Sequence, residues 1–254
     1  VRRLALWLII SMAVISHTVV RADVIGHWQL DGNANDSSGN GLNGVFRGAG
    51  ATATTDRFGN ANSALQFAGN GYIQITDRAE MQIPTYSIST WFKWDRFGTS
   101  DVDFLTAKAG ENFEIHTGGG SGVNGIRFIP SGSHYNDNPG IIQSGWNHLV
   151  TTYNAVTGES NVYMDGVLHG TDYRVPGNRF GDFYIAARAG GSFMFRGAMD
   201  DVQLHDTVLS QPQVVSLFNS STAAVPEPST FLTLGIGAVY LIGYRRGKRK
   251  STIT

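Results

Sequence analysis

Apolar and polar residues alternate along Tyr86 to Trp94. Tyr86, Ile88, Thr90, Phe92 and Trp94 fall on one side, and Ser87, Ser89, Trp91 and Lys93 on the other. A period of two is that of a β-strand, whose successive side chains point to opposite faces of a sheet. The same reading predicts strands over Val24 to Leu30, Tyr72 to Thr76, Asn147 to Tyr153, Phe183 to Ala187 and Met199 to His205. Asp165-Gly166 stands between the apolar runs Val162-Tyr163-Met164 and Val167-Leu168-His169. That arrangement predicts a type I′ hairpin, because both central turn residues need positive φ. Segments rich in Gly, Asn and Ser at 32–44, 117–125 and 131–140 separate the strands. Short strands at such spacing, with almost no helix, predict an all-β fold, an antiparallel sandwich or jelly roll.

One stretch has helical spacing. From Gln211 to about Phe218, Val214, Leu217 and Phe218 form an apolar stripe. Ser210 is a good N-cap, Pro212 falls in the first turn and Gln213 completes an S-x-x-Q capping box. A helix that closes the domain is expected there.

Both ends change character. Val1-Arg2-Arg3, the apolar run Leu4 to Ile15 and Val20-Arg21-Ala22 have the three parts of a secretion signal, with cleavage after Ala22. The alternative is an uncut anchor helix, but the run is shorter than the ~20 residues a membrane span needs. Past a small polar linker, 220–224, come Val225-Pro226-Glu227-Pro228-Ser229, the apolar run Phe231 to Tyr244 and the cluster Arg245, Arg246, Lys248, Arg249 and Lys250. The organisation read from the chain is a signal peptide at 1–22, one domain at 23–219, the linker and a sorting or anchor segment at 225–250. About 200 residues remain between the ends, enough for one domain with a full core. The chain has no cysteine, so the fold must rest on its core, helped or not by a metal. Charged residues make up 15% with both signs scattered, and no basic stripe argues for nucleic acid.

Several segments in order resemble the laminin-G-like domains of the concanavalin A-like lectin/glucanase superfamily. They are His27-Trp28-Gln29-Leu30-Asp31 with Asp36-Ser37-Ser38-Gly39-Asn40-Gly41-Leu42-Asn43-Gly44, and Ala64-Leu65-Gln66-Phe67-Ala68-Gly69 leading into Tyr72-Ile73-Gln74-Ile75. Then follow Ser87-Ile88-Ser89-Thr90-Trp91-Phe92-Lys93, Gly145-Trp146-Asn147-His148-Leu149-Val150, Val162-Tyr163-Met164-Asp165-Gly166 and Gly197-Ala198-Met199-Asp200-Asp201-Val202-Gln203-Leu204. The resemblance implies a jelly roll of two antiparallel sheets, one of them concave. Residues 225–250 resemble the PEP-CTERM sorting tail of exported bacterial proteins, which implies a C-terminal membrane helix and processing by a membrane protease, exosortase. A plain uncleaved anchor is the alternative.

The superfamily includes glycoside hydrolases, which need two carboxylates flanking the scissile bond. Its retaining glucanases carry E-x-D-x-x-E or E-x-D-x-E, and neither run occurs here. Asp101-Val102-Asp103 lacks a third carboxylate and reads as loop, while Glu111 and Glu114 are three apart and face opposite sides of a strand. With no cysteine, no G-x-S-x-G and no H-E-x-x-H, nucleophilic and zinc chemistry find no motif either. A structural Ca²⁺ is the metal to expect. On Met199 to His205, Asp200 shares a face with Val202 and Leu204 and so points inward, where a charge needs a partner. Ca²⁺ with loop carbonyls would supply one. The resemblance also implies that Asp200 is a calcium ligand, with Asp36 a weaker candidate; backbone N–H groups or an arginine are the alternative partners. Tyr135, Tyr153, Tyr173 and Trp94 are candidates for stacking on sugar, if they are not packed in the fold. The function expected is an exported, non-catalytic binding or adhesion protein of the cell envelope or extracellular matrix. Its partner is expected to be polysaccharide or a surface protein. A matrix protein without glycan binding and a glycoside hydrolase are the alternatives.

Overall fold

A computed structural model describes residues 23–109, 113–130, 135–173 and 181–220. The signal segment, Val225-Pro226-Glu227-Pro228 with the rest of the sorting tail, and Glu111 lie outside them. In chain order the strands are β1 (Val24–Trp28), β2 (Val45–Gly48), β3 (Thr52–Thr54), β4 (Ala64–Ala68), β5 (Gly71–Ile75), β6 (Tyr86–Trp94), β7 (Phe104–Lys108) and β8 (Phe113–Thr117). They continue as β9 (Ile126–Ile129), β10 (Asn136–Asn138), β11 (Trp146–Tyr153), β12 (Glu159–Met164), β13 (Val167–Tyr173), β14 (Phe183–Ile185) and β15 (Arg196–His205), followed by the helix α1 (Gln211–Asn219).

These strands form two antiparallel sheets. The first runs β13-β12-β11-β6-β15-β4-β3, with β1 also on β15, and the second β10-β9-β8-β7-β14-β5-β2. The alternation of β6 sets its place. Ile88, Phe92 and Trp94 enter the core between the sheets, while Trp91 belongs to the opposite face of the first sheet, where its ring meets His148 and Phe218. Trp28, Phe67, Phe92, Phe128, Phe183 and Phe195 are fully buried in that core. Trp28 stacks on Phe183 at 5.4 Å, and its Nε1–H donates to the Leu42 carbonyl at 2.8 Å, so its polar atom is satisfied. The hairpin turn has the expected conformation, with φ of 50° at Asp165 and 80° at Gly166.

Part of the outer face of the first sheet is covered too. Val150 and Tyr163 on that face pack with Leu209, Val214 and Leu217 as a second apolar cluster beneath α1. Ser210 donates its amide to Gln213 Oε1 at 2.8 Å, which secures the first turn of the helix. Val150 and Val214, the fully buried side chains of this cluster, contribute about 1.5–3 kcal/mol each. Among the described residues α1 is the one α-helix, and it packs on the first sheet.

One expectation needs correcting. Strict alternation along Met199 to His205 puts Asp200 with Val202 and Leu204, but Met199, Val202 and Leu204 share the core. The cause is a β-bulge. Asp200 pairs with Trp91 and Gln203 with Ser89, so β15 fits one more residue than β6, and Asp201 has φ of 49°. The bulge lies where β15 exchanges partners, from β4 along Arg196 to Met199 to β1 along Val202 to His205. Asp200 is therefore buried opposite the core, on the face that bears Trp91.

Candidate binding site

The two carboxylates expected to hold a metal have other partners. A short loop after β3 is shaped by Asp56, which accepts from the amides of Phe58 and Asn60 at 2.8 Å. That loop delivers Arg57 between the rings of Phe58 and Trp91, 4.5 Å from each centroid. Arg57 Nη1 lies 2.6 Å from Asp200 Oδ2, and Nη2 lies 2.9 Å from Asp201 Oδ2. Nη2 also donates to the Ser220 carbonyl at 3.3 Å, where α1 ends. On the other side of Asp201, His27 Nε2 is 3.2 Å from Oδ1. One guanidinium thus serves two carboxylates, Asp200 buried and Asp201 partly buried. Burial, and then the charge of Asp201, push Asp200 up to about 8 against the pull of Arg57. Burial acts the same way on Asp201, but the bond with His27 and the charge of Arg57 outweigh it and hold that carboxyl below its ordinary value.

Asp36 belongs to the loop after β1. Its Oδ1 accepts from the amides of His27 and Ser38, and its Oδ2 from the amide of Leu42, each at 2.9 Å. Burial pushes Asp36 up, but these amide donors prevail and lower it. Among the described residues no three His, Asp or Glu side chains gather as a metal site. As arranged, Asp200 fits a guanidinium and Asp36 a set of amides. A Ca²⁺ ion at either would have to displace those donors.

The aromatic candidates divide. Tyr153 and Trp94 are core residues, and Trp94 Nε1–H donates to Asp103 Oδ2 at 2.9 Å. Tyr173 is exposed at the end of the edge strand β13. Tyr135 is half-exposed, with the Arg127 guanidinium 4.2 Å above its ring. The carboxylates weighed for hydrolysis are also partnered: Arg96 Nη1 is 2.9 Å from Asp101 Oδ2, and Arg188 Nε is 2.6 Å from Glu114 Oε1.

An open cleft lies at one rim of the sandwich, beside Gly69, the loop between β6 and β7, and the segment that enters β15. Its volume is about 540 Å³, and its walls include Arg96, Asp101, Asp103, Phe193 and Arg196. That is within the ~300–1,000 Å³ of small-ligand sites. Phe193 is 54% exposed and has φ of 49°, a conformation rare for a bulky residue. It follows a tight turn in which the Arg188 amide donates to the Ser192 carbonyl at 2.9 Å, and its own carbonyl accepts from the Phe104 amide at 2.9 Å. Asp103 forms the floor: burial pushes its carboxyl up, against the hydrogen bond from Trp94 and the charge of Arg96. Neither Phe193 nor Arg196 stands out in the sequence. The Gly190-Gly191-Ser192 turn ahead of Phe193 is the one local sign of a projecting side chain.

Comparison with known proteins agrees with this architecture. Residues 67–215 match the family model described as concanavalin A-like lectin/glucanases superfamily, and residues 224–250 match the PEP-CTERM protein-sorting motif. A search of curated proteins gave no match. Among solved structures, the chain is similar to domain 4 of AbnA, a GH43 extracellular arabinanase from Geobacillus stearothermophilus, in complex with arabinotriose. The TM-score is 0.63 at 21% identity, over 78% of this chain and 99% of that one. It is also similar to the binding domain of botulinum neurotoxin DC in complex with rat synaptotagmin II (TM-score 0.60, 16% identity, 78% of this chain and 51% of that one). The binding domain of Paraclostridial Mosquitocidal Protein 1 is a third (TM-score 0.61, 14% identity, 78% and 52%). The chain thus spans about half of each toxin domain and nearly all of the arabinanase domain. At such identities these structures speak for the fold alone. The sorting motif indicates export with attachment to the membrane at the C-terminus. With the family model covering more than half of the chain, on a sandwich of two antiparallel sheets, the protein belongs to the concanavalin A-like lectin/glucanase superfamily.

Proposed function

We propose that this protein is a non-catalytic binding module of the cell envelope or extracellular matrix that recognises a polysaccharide or a surface protein. The rim cleft carries the reading: an open cavity with an exposed aromatic ring beside charged and hydrogen-bonding groups suits a ligand with both apolar and polar faces. Both ligand classes are held by structures similar to this one, arabinotriose by the arabinanase domain and synaptotagmin II by the toxin domain. The test is binding of the full chain, purified in detergent, to a panel of polysaccharides and to extracted surface proteins. Saturable binding to one class, weakened at least ten-fold by Phe193→Ala, is expected. Undiminished binding by that variant would remove the cleft from the account.

One observation favours a hydrolase as the second reading. Asp101 and Asp103 share the cleft, and burial raises one of them, as for a general acid. Against it, both approach Arg96, and the Asp103 side chain is only 3% exposed. Release of reducing ends from polysaccharide, abolished by Asp103→Asn, would favour the hydrolase.

A further inference from the structure

The charges of the cleft do not balance evenly along its wall. Arg96 and Asp101 neutralise each other at 2.9 Å, and Asp103 lies behind them, hydrogen-bonded to Trp94. The nearby Asp95 accepts from Gln66 Nε2 at 2.7 Å through its carboxylate. No carboxylate among the described residues forms an ion pair with Arg196. That side chain is nonetheless built into place. It lies over Gly69, where a Cβ would stand 2.5 Å from Arg196 Nε and 2.8 Å from its Cγ. Gly69 also has φ of 78°, so the site excludes a larger residue for two reasons. The Arg196 carbonyl accepts from the Asp95 amide at 3.0 Å, which fixes the backbone at the first residue of β15. A positioned guanidinium and an exposed phenyl ring therefore line one cleft.

Arginine presents a planar fork of N–H donors that matches a carboxylate, and an aromatic face suits the C–H face of a sugar ring. A hexuronate carries both groups on one residue. Resting on the reading of this protein as a glycan-binding module, we propose that the rim cleft binds an acidic polysaccharide, with a uronate ring on Phe193 and its carboxylate on Arg196. A neutral glycan would leave the guanidinium without its anionic partner.

The test compares oligogalacturonate with its methyl ester, which keeps the sugar chain and removes the charge, by calorimetric titration of the full chain in detergent. The acid is expected to bind at least ten-fold more tightly than the ester. Arg196→Gln should erase that preference, and Phe193→Ala should weaken both ligands. Circular dichroism and melting show whether the variants fold, and the ratio of acid to ester in the wild-type protein decides the matter without them. Equal affinity for acid and ester, or no binding of the acid, overturns the proposal. If neutral polysaccharides such as arabinan still bind, the glycan-binding reading survives that failure. If no glycan binds and a surface protein does, the glycan reading falls as well.

Discussion

Arg57 and Asp200, 143 positions apart in the chain, meet at 2.6 Å beneath the last residues of the C-terminal helix. Their side chains are 5% and 3% exposed, so the contact is shielded from water. It ties together the loop after β3, the bulge of β15 and the residue from which the chain leaves the domain.

Removing Arg57 should therefore be costly. Arg57→Leu leaves Asp201 without its guanidinium, and loss of one partner of a buried pair costs about 3–5 kcal/mol. Asp200→Asn should cost less, about 1–2 kcal/mol, because an amide resembles the protonated acid that burial already favours. Urea unfolding of the two variants measures the difference. Equal losses would show that Asp200 carries its full charge in the folded protein.

Calcium separates two accounts of Asp200. If Arg57 is its partner in solution, a chelator leaves the melting temperature unchanged. If Ca²⁺ displaces the guanidinium, calcium at 100 times Kd adds about 2.7 kcal/mol, and Asp200→Asn reduces that gain. Melting curves with chelator and with added Ca²⁺, on protein whose metal content has been measured, decide between them.

Stability should peak near pH 6.5. Burial, with smaller contributions from Arg57 and His27 respectively, lowers His148 to about 3 and His205 to about 4. Between those values and the ordinary 6.5 the unfolded chain binds more protons, so stability is present above 6.5 and lost as pH falls. Asp200 has the opposite sign. Raised from 3.8 to about 8, it binds a proton in the folded state, and its contribution declines as pH rises through that window. Burial lowers His116 in the same sense as these two histidines and raises Asp31 and Asp103 in the same sense as Asp200. Below pH 6.5 the histidines set the sign, and above it Asp200, raised the furthest of the carboxyls, does. Each net proton gives a slope of about 1.4 kcal/mol per pH unit. Urea midpoints from pH 4 to 9 should show this maximum, and Asp200→Asn should flatten the alkaline side.

The ends of the chain should be processed. Cleavage after Ala22 would free the amino group of Asp23, whose nitrogen already lies 3.1 Å from Asp206 Oδ1. At the other end, the apolar run Phe231 to Tyr244 has 14 residues. As a helix it would reach about 21 Å, short of a ~30 Å hydrocarbon core. The basic residues after it should stay in the cytoplasm, leaving the Pro-Glu-Pro segment outside. Intact-mass measurement in a host with exosortase should find cleavage near Pro226 to Ser229. A mature form in that host still ending at Thr254 would leave a plain anchor.

Local pattern was enough for the strands with clear alternation, the hairpin and the helix, but not for the short strands β2, β3 and β7 to β10. Alternation along β6, Asp165-Gly166 and the Ser210–Gln213 box each act within a few residues, where backbone sterics and side-chain spacing decide the conformation. The family, too, was legible, because its segments occur in order along the whole body of the domain. The partner of Asp200 was not. Its face depends on a bulge forced by two strands sharing one edge of β15, and its arginine comes from a loop remote in sequence. Nor does a single chain reveal the cleft. Arg196 and Phe193 are ordinary residues until Gly69 makes room for the one and the turn before β15 exposes the other. Both depend on the close approach of separate segments, which local preferences do not encode and packing of the whole sandwich imposes.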